Sequence, residues 1–161
     1  MILVFLRHGV AEDKSTPDDD VKRRLTDDGR KEVRRVAKGL ATMETKFAAC
    51  LTSPLVRARE TAEEACDVLT IGELRLEESL RPDGRWDGLR GALQGFPNDS
   101  AVLLVGHEPS MSGFIAAAIG VPEARIEMKK AGVARVDLDS PSSPGELKFL
   151  LRPKQAAALS G

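Results

Sequence analysis

Three short runs, residues 2–6, 47–52 and 101–105, are apolar at almost every position. A strand with one wet face alternates. Continuous apolar runs of this length therefore predict strands covered on both faces, as in the middle of a parallel sheet. Between these runs the spacing becomes helical. Val33, Val36, Ala37, Leu40 and Met43 share one face of a segment that Thr26 or Asp27 can cap. Ala58, Ala62, Ala65 and Leu69 do the same over residues 55–69. Leu74 and Leu76 suggest a brief extended piece, and Trp86, Leu89 and Leu93 a helix ending near Gly95 and Pro97. Pro109 suits the first turn of a helix whose inner face is Met111, Phe114, Ile115 and Ala118.

Residues 133–138 alternate apolar and polar positions, and residues 146–151 follow after a turn rich in Pro, Ser and Gly. They predict an antiparallel pair towards a sheet edge. Strands alternating with helices imply an α/β fold, a three-layer α/β/α sandwich with a mostly parallel central sheet and an antiparallel edge. No repeat or linker interrupts the chain, so a single domain over residues 1–161 is expected, large enough to bury a core unaided. The polar stretch 12–24 contains Pro17, three aspartates and then basic residues. It predicts a solvated loop over the strand ends, with the run from Asp18 through Arg24 serving solubility rather than a partner.

Composition narrows the function classes. Hydrophobic residues are 42% and charged residues 30% of the chain, and the formal net charge is -1, so no global attraction to nucleic acid or membrane is expected. Any preference for anions must be local. Cys50 and Cys66 have apolar neighbours and no ligand spacing, which fits small buried hydrophobes in a reducing compartment. Residues 1–6 are too short for a secretory apolar segment, and no run approaches the roughly 18 apolar residues of a membrane span. The expectation is a cytoplasmic monomer.

Candidate chemistry collects at the strand ends. The apolar runs lead into Arg7-His8-Gly9, into Ser53-Pro54-Leu55-Val56-Arg57 and into Gly106-His107-Glu108-Pro109. In open α/β sheets, ligands bind outside the carboxyl ends of the strands. Both histidines and two arginines thus fall on one edge, where a single bound anion can touch all four. Helix amino termini after Ser53 and after Glu108 are expected to add N–H donors. Neutral imidazole is a good nucleophile towards phosphorus, and arginines can neutralise charge on a transferring phosphoryl group without a metal or other cofactor. These residues alone leave His8 and His107 interchangeable as nucleophile.

The segment Leu6-Arg7-His8-Gly9 resembles the signature of the histidine phosphatase superfamily, the phosphoglycerate mutase-like group. It is joined by Leu25-Thr26-Asp27-Asp28-Gly29, by the segment from Thr52 to Thr61 and by Val105-Gly106-His107, in the family's order. The short chain and the Gly-His-Glu-Pro segment make it most similar to the SixA-type phosphohistidine phosphatases. The resemblance implies that His8 is transiently phosphorylated, that Arg7 and Arg57 bind the phosphoryl oxygens, and that His107 donates a further hydrogen bond. It also implies a phosphorylated protein as partner, of which a histidine phosphotransfer domain is one type.

Larger superfamily members carry a carboxylate proton donor on a long segment that is short here, leaving Glu77 or Glu78 as candidates. A weak general acid disfavours alkyl phosphates and matters less for a phosphoramidate, whose imidazole leaves readily. Phosphohistidine is therefore the expected substrate. The alternatives are a small phosphoester and, in a different class, a silent phosphoprotein-binding module.

Overall fold

The computed structural model describes residues 1–161. Its six strands are β1 (Ile2–Arg7), β2 (Ala49–Thr52), β3 (Leu74–Leu76), β4 (Ala101–Gly106), β5 (Val133–Asp137) and β6 (Glu146–Leu151). They form one sheet in the order β3-β2-β4-β1-β5-β6. The first four pair in parallel, and β5 is antiparallel to both β1 and β6.

Helices α1 (Asp27–Ala41), α2 (Val56–Leu69) and α5 (Pro153–Ala158) cover one face, and α3 (Trp86–Leu93) and α4 (Ser110–Ala118) cover the other. The fold is the expected three-layer α/β/α sandwich.

The pleat explains why the central strands show no polar alternation. Successive side chains point to opposite faces, and here both faces meet helices. Leu3 and Phe5 enter the core beneath α3 and α4, while Val4 and Leu6 enter the one beneath α1 and α2. Val102 and Leu104 divide from Leu103 and Val105 in the same way. Full burial of each such side chain is worth about 1.5–3 kcal/mol. No helix is long and apolar enough to cross a membrane.

Several boundaries move from the sequence expectation. Of the two capping candidates Thr26 does the work, its Oγ1 accepting from Gly29 N at 2.9 Å. Helix α1 ends at Ala41, so Met43 lies beyond it, though it still packs on the core. Strand β2 begins at Ala49, leaving Phe47 as a partly buried flank. Pro109 precedes α4 as its cap residue rather than opening its first turn. Helix α5 was not evident in the sequence, because six residues are too few to display a helical period.

Candidate active site

Strand register brings the sequence candidates together. In the parallel β1–β4 pair Arg7 lies opposite Gly106, and in β2–β4 Thr52 lies opposite Val105. The residues that follow must therefore be neighbours. His8 N donates to Gly106 O at 3.0 Å and Ser53 N donates to Val105 O at 3.0 Å. The imidazoles of His8 and His107 end with ring centroids 5.1 Å apart. Arg57, in the first turn of α2, comes to the same edge.

His8 is almost fully buried, and its Nδ1 lies 2.7 Å from Gly9 O. A carbonyl can only accept, so Nδ1 carries the proton and the lone pair of neutral His8 is on Nε2. Burial, reinforced by the positive charges of Arg57, Arg7 and Lys130, outweighs the Gly9 contact and lowers the His8 pKa to about 3. The imidazole is thus uncharged at neutral pH and its Nε2 nucleophilic. Gly9 itself cannot be larger. A Cβ there would lie 2.7 Å from Val33 Cγ2 and 3.2 Å from Gly29 O, so α1 could not approach the strand end.

His107 is held by a different contact. Its Nε2 lies 2.8 Å from Ser53 Oγ, which accepts from Leu55 N at 3.2 Å. Ser53 Oγ can give its proton to His107 Nε2, and in that arrangement the imidazole proton sits on Nδ1. Burial first, then the charges of His8 and Arg57, lower the His107 pKa to about 3.

Each arginine is anchored on a backbone carbonyl. One terminal nitrogen of Arg7 donates to Met128 O at 2.8 Å, and one of Arg57 donates to Asp20 O at 2.7 Å. Burial lowers both pKa values, opposed by Glu108 for Arg7 and by Asp20 for Arg57, and both groups stay cationic. Three buried N–H-bearing atoms of the cluster have no partner: Arg7 Nε, Arg57 Nε and His107 Nδ1. A buried unpaired donor costs about 1–3 kcal/mol. Unpaired nitrogens of this kind, gathered with His8 at the strand ends, can receive a compact, oxygen-rich anion.

Two expectations are corrected here. The first turn of α4 offers fewer free donors than expected, because Met111 N is bonded to His107 O at 2.9 Å and Ser112 N to Glu108 Oε1 at 2.8 Å. The Asp18–Arg24 run is also more than a solubility loop. Residues Pro17–Lys22 form a 3-10 turn that delivers Asp20 to Arg57, its carboxylate 3.4 Å from the guanidinium as well as its carbonyl. Burial would raise the Asp20 pKa, but the charges of Arg57, Arg23 and Lys14 outweigh it and the pKa falls.

Neither acidic candidate is free at the site. The Glu77 carboxylate accepts from Ser79 N at 3.1 Å and from Ser79 Oγ at 2.7 Å, closing a short turn. Glu78 is turned to solvent, with its side chain 75% exposed, and pairs with Arg81 at 3.3 Å. Sequence reasoning overlooked Ser53 as the partner of His107, although its place at the end of β2 was a usable signal. It had no means of finding Asp20 or the Met128 carbonyl, which reach the arginines from 37 and 121 positions away.

Comparisons with known proteins place the chain in a family. The family model of the histidine phosphatase superfamily (branch 1) matches residues 3–94. An uncharacterized protein of Picosynechococcus is 34% identical over 83% of this chain and 82% of its own. The phosphohistidine phosphatase SixA of Escherichia coli is 28% identical over 95% and 94% of the two chains. The solved structure of the protein histidine phosphatase SixA complexed with tungstate superposes with a TM-score of 0.84, at 28% identity, covering 96% of this chain and 98% of that one. A Plasmodium falciparum phosphoglycerate mutase shares the fold, with a TM-score of 0.68 at 17% identity over 92% and 88% of the chains. The likeness to SixA supports a phosphatase. On the matched motif and the matched length, the chain belongs to the histidine phosphatase superfamily.

Proposed function

We propose that this protein removes phosphoryl groups from phosphohistidine on other proteins, through a covalent phosphohistidine on its own His8. The observation that carries the reading is the pairing of a neutral His8, its Nε2 lone pair free, with the unpartnered donors of Arg7, Arg57 and His107. His8 Nε2 attacks phosphorus, and the bond from phosphorus to the substrate imidazole nitrogen breaks. The departing imidazole nitrogen takes a proton from solvent, since Glu77 and Glu78 are engaged elsewhere. Water then attacks the phosphorus on His8, releasing inorganic phosphate and restoring the neutral imidazole.

Arg7 and Arg57 neutralise the charge spread over the phosphoryl oxygens, which is the work a metal ion does elsewhere. The proposed reaction is metal-independent and uses no cofactor. His107 Nδ1 supplies a further donor. The engagement of Glu77 with Ser79 and of Glu78 with Arg81 favours a substrate whose leaving group asks little of a general acid. Phosphohistidine meets that condition better than an alkyl phosphate. Tungstate, bound by the related SixA, is a tetrahedral oxyanion like phosphate, which supports the anion receptor.

The test is rapid-quench labelling with a protein phosphorylated on histidine. The wild-type chain should carry an acid-labile, alkali-stable phosphate, and His8→Ala should carry none while losing at least ~10⁴-fold in kcat. Normal labelling and turnover by His8→Ala would overturn the nucleophile. A preference of orders of magnitude for sugar or aryl phosphates would overturn the substrate.

A further inference from the structure

Five cations converge on a groove of about 610 Å³ beside the site. Arg7 stands at its inner end, Lys129 and Lys130 come from the segment before β5, and Arg152 and Lys154 come from the junction of β6 and α5. Glu32 of α1 is the one carboxylate in the lining. Of the five cations only Lys129 has an ion-pair partner, Glu127 at 2.6 Å. A chain of net charge -1 has therefore gathered a strong local excess of positive charge. Like charges held together repel, and the free protein bears that cost until an anion binds.

The groove is held in shape. Arg7 donates to Met128 O at 2.8 Å, and Ala131 N donates back to Arg7 O and His8 O, each at 3.1 Å, which ties the lysine-bearing segment to the strand end. On the other wall Ala156 is buried, and a Cβ at Gly39 would overlap Ala156 O, so α5 lies directly on α1. The basic side chains project from anchored backbone into open solvent. Across the mouth of the site the 3-10 turn carries Asp18, Asp19 and Asp20. Lys22 shares that turn and Lys14 and Arg23 pair with Asp20, so one-sided charge is confined to the groove.

Arg7 and Arg57 already suffice for one phosphoryl group. Lys129, Lys130, Arg152 and Lys154 continue beyond it, along a space large enough for several side chains. Flexible point charges of this kind suit carboxylates spread over a protein surface better than a single planar anion. We infer that the groove docks an acidic segment of the phosphorylated protein, adjoining the phosphohistidine that enters beside Arg7. The one-sided positive charge of the groove sets the orientation, since complementary fields govern encounter and register more than raw affinity. The identity of the entering group rests on the phosphohistidine reading; the groove's preference for acidic segments does not.

The test uses two phosphohistidine peptides, one flanked by Asp and Glu and one by Asn and Gln, with p-nitrophenyl phosphate as a reporter of the central site. Wild type should favour the acidic peptide by roughly tenfold or more in kcat/KM at low ionic strength, and lose the preference near ~0.5 M salt. The double variant Arg152→Glu, Lys154→Glu should lose it at any salt while hydrolysing p-nitrophenyl phosphate as wild type does. Equal kcat/KM for the two peptides in wild type, or an intact preference in the variant, overturns the docking groove. If neither phosphopeptide reacts while p-nitrophenyl phosphate does, the phosphohistidine reading fails instead. The groove is then judged by inhibition of p-nitrophenyl phosphate hydrolysis by the unphosphorylated acidic peptide. Inhibition that the double variant abolishes upholds it, and no inhibition of wild type overturns it.

Discussion

Over the outer surface of α1 and α2, Arg24 and Arg30 reach Glu60 at 3.2 and 2.6 Å, and Arg34 reaches both Glu64 and Asp67 at 2.8 Å. At the strand ends Arg7 and Arg57 meet backbone carbonyls instead, and each retains a buried Nε without a partner. The exposures run opposite to what stability alone would select. The Arg34 side chain is 39% exposed and meets two carboxylates at 2.8 Å, whereas that of Arg57 is 5% exposed and meets one, Asp20, at 3.4 Å. A cation taken out of water without a close counter-ion costs free energy. The surface network joins two helices. The strand-end cluster leaves three buried nitrogens without a partner, as the proposed anion receptor requires.

Substitutions on the two sides should therefore fail in different assays. Arg57→Ala should lower kcat/KM by about 10²–10³-fold, the loss expected when one donor to a developing charge is removed. Its thermal unfolding should stay at or above the wild-type temperature, because a poorly compensated buried charge goes with it. A large drop in melting temperature with little loss of activity would place Arg57 among the structural arginines.

Glu60→Ala is the reverse experiment. Glu60 is buried, accepts from Leu25 N at 3.1 Å and pairs with two arginines. Its loss should cost about 1–3 kcal/mol of stability, read by denaturant unfolding, with kcat little changed. Unaltered stability would remove the distinction between the regions.

The smallest effect concerns the two histidines, both held near pKa 3 against an ordinary 6.5. A base with a depressed pKa binds protons more readily when unfolded, so stability rises with pH between about 3 and 6.5 and falls on acidification through that window. From pH 7 to 5.5 each histidine should subtract about 1 kcal/mol. The chain has two histidines, so imidazole NMR signals can be assigned simply. Neither should titrate between pH 8 and 5. A midpoint near 6.5 for His8 would break the account of its neutral state.

The legible part of the fold was the part governed by local pattern. The doubly covered strands β1 and β4, the faces of α1 and α2 and the antiparallel edge pair were read from apolar spacing, because burial on both faces or on one leaves a different period. The edge strand β3 was only hinted at, since its side chains are exposed and carry little burial signal. For the site, residue types at strand ends were enough to assemble Arg7, His8, Arg57 and His107. They were not enough to assign tautomers or to foresee Asp20, because those depend on carbonyls and loops distant along the chain.

From the sequence alone came the order of the six strands and the first four helices, the placement of both histidines at carboxyl strand ends and the motif of the superfamily. These follow from rules that act over a few residues or along one element. Tertiary structure decided which nitrogen of His8 keeps the lone pair, which arginine atoms remain open, and that Asp20 rather than solvent faces Arg57. It also decided that Arg152 and Lys154, some 145 positions after Arg7, share a groove with it. Hydrogen bonding and charge act through space over a few ångströms, and only the folded chain determines which residues come within that range.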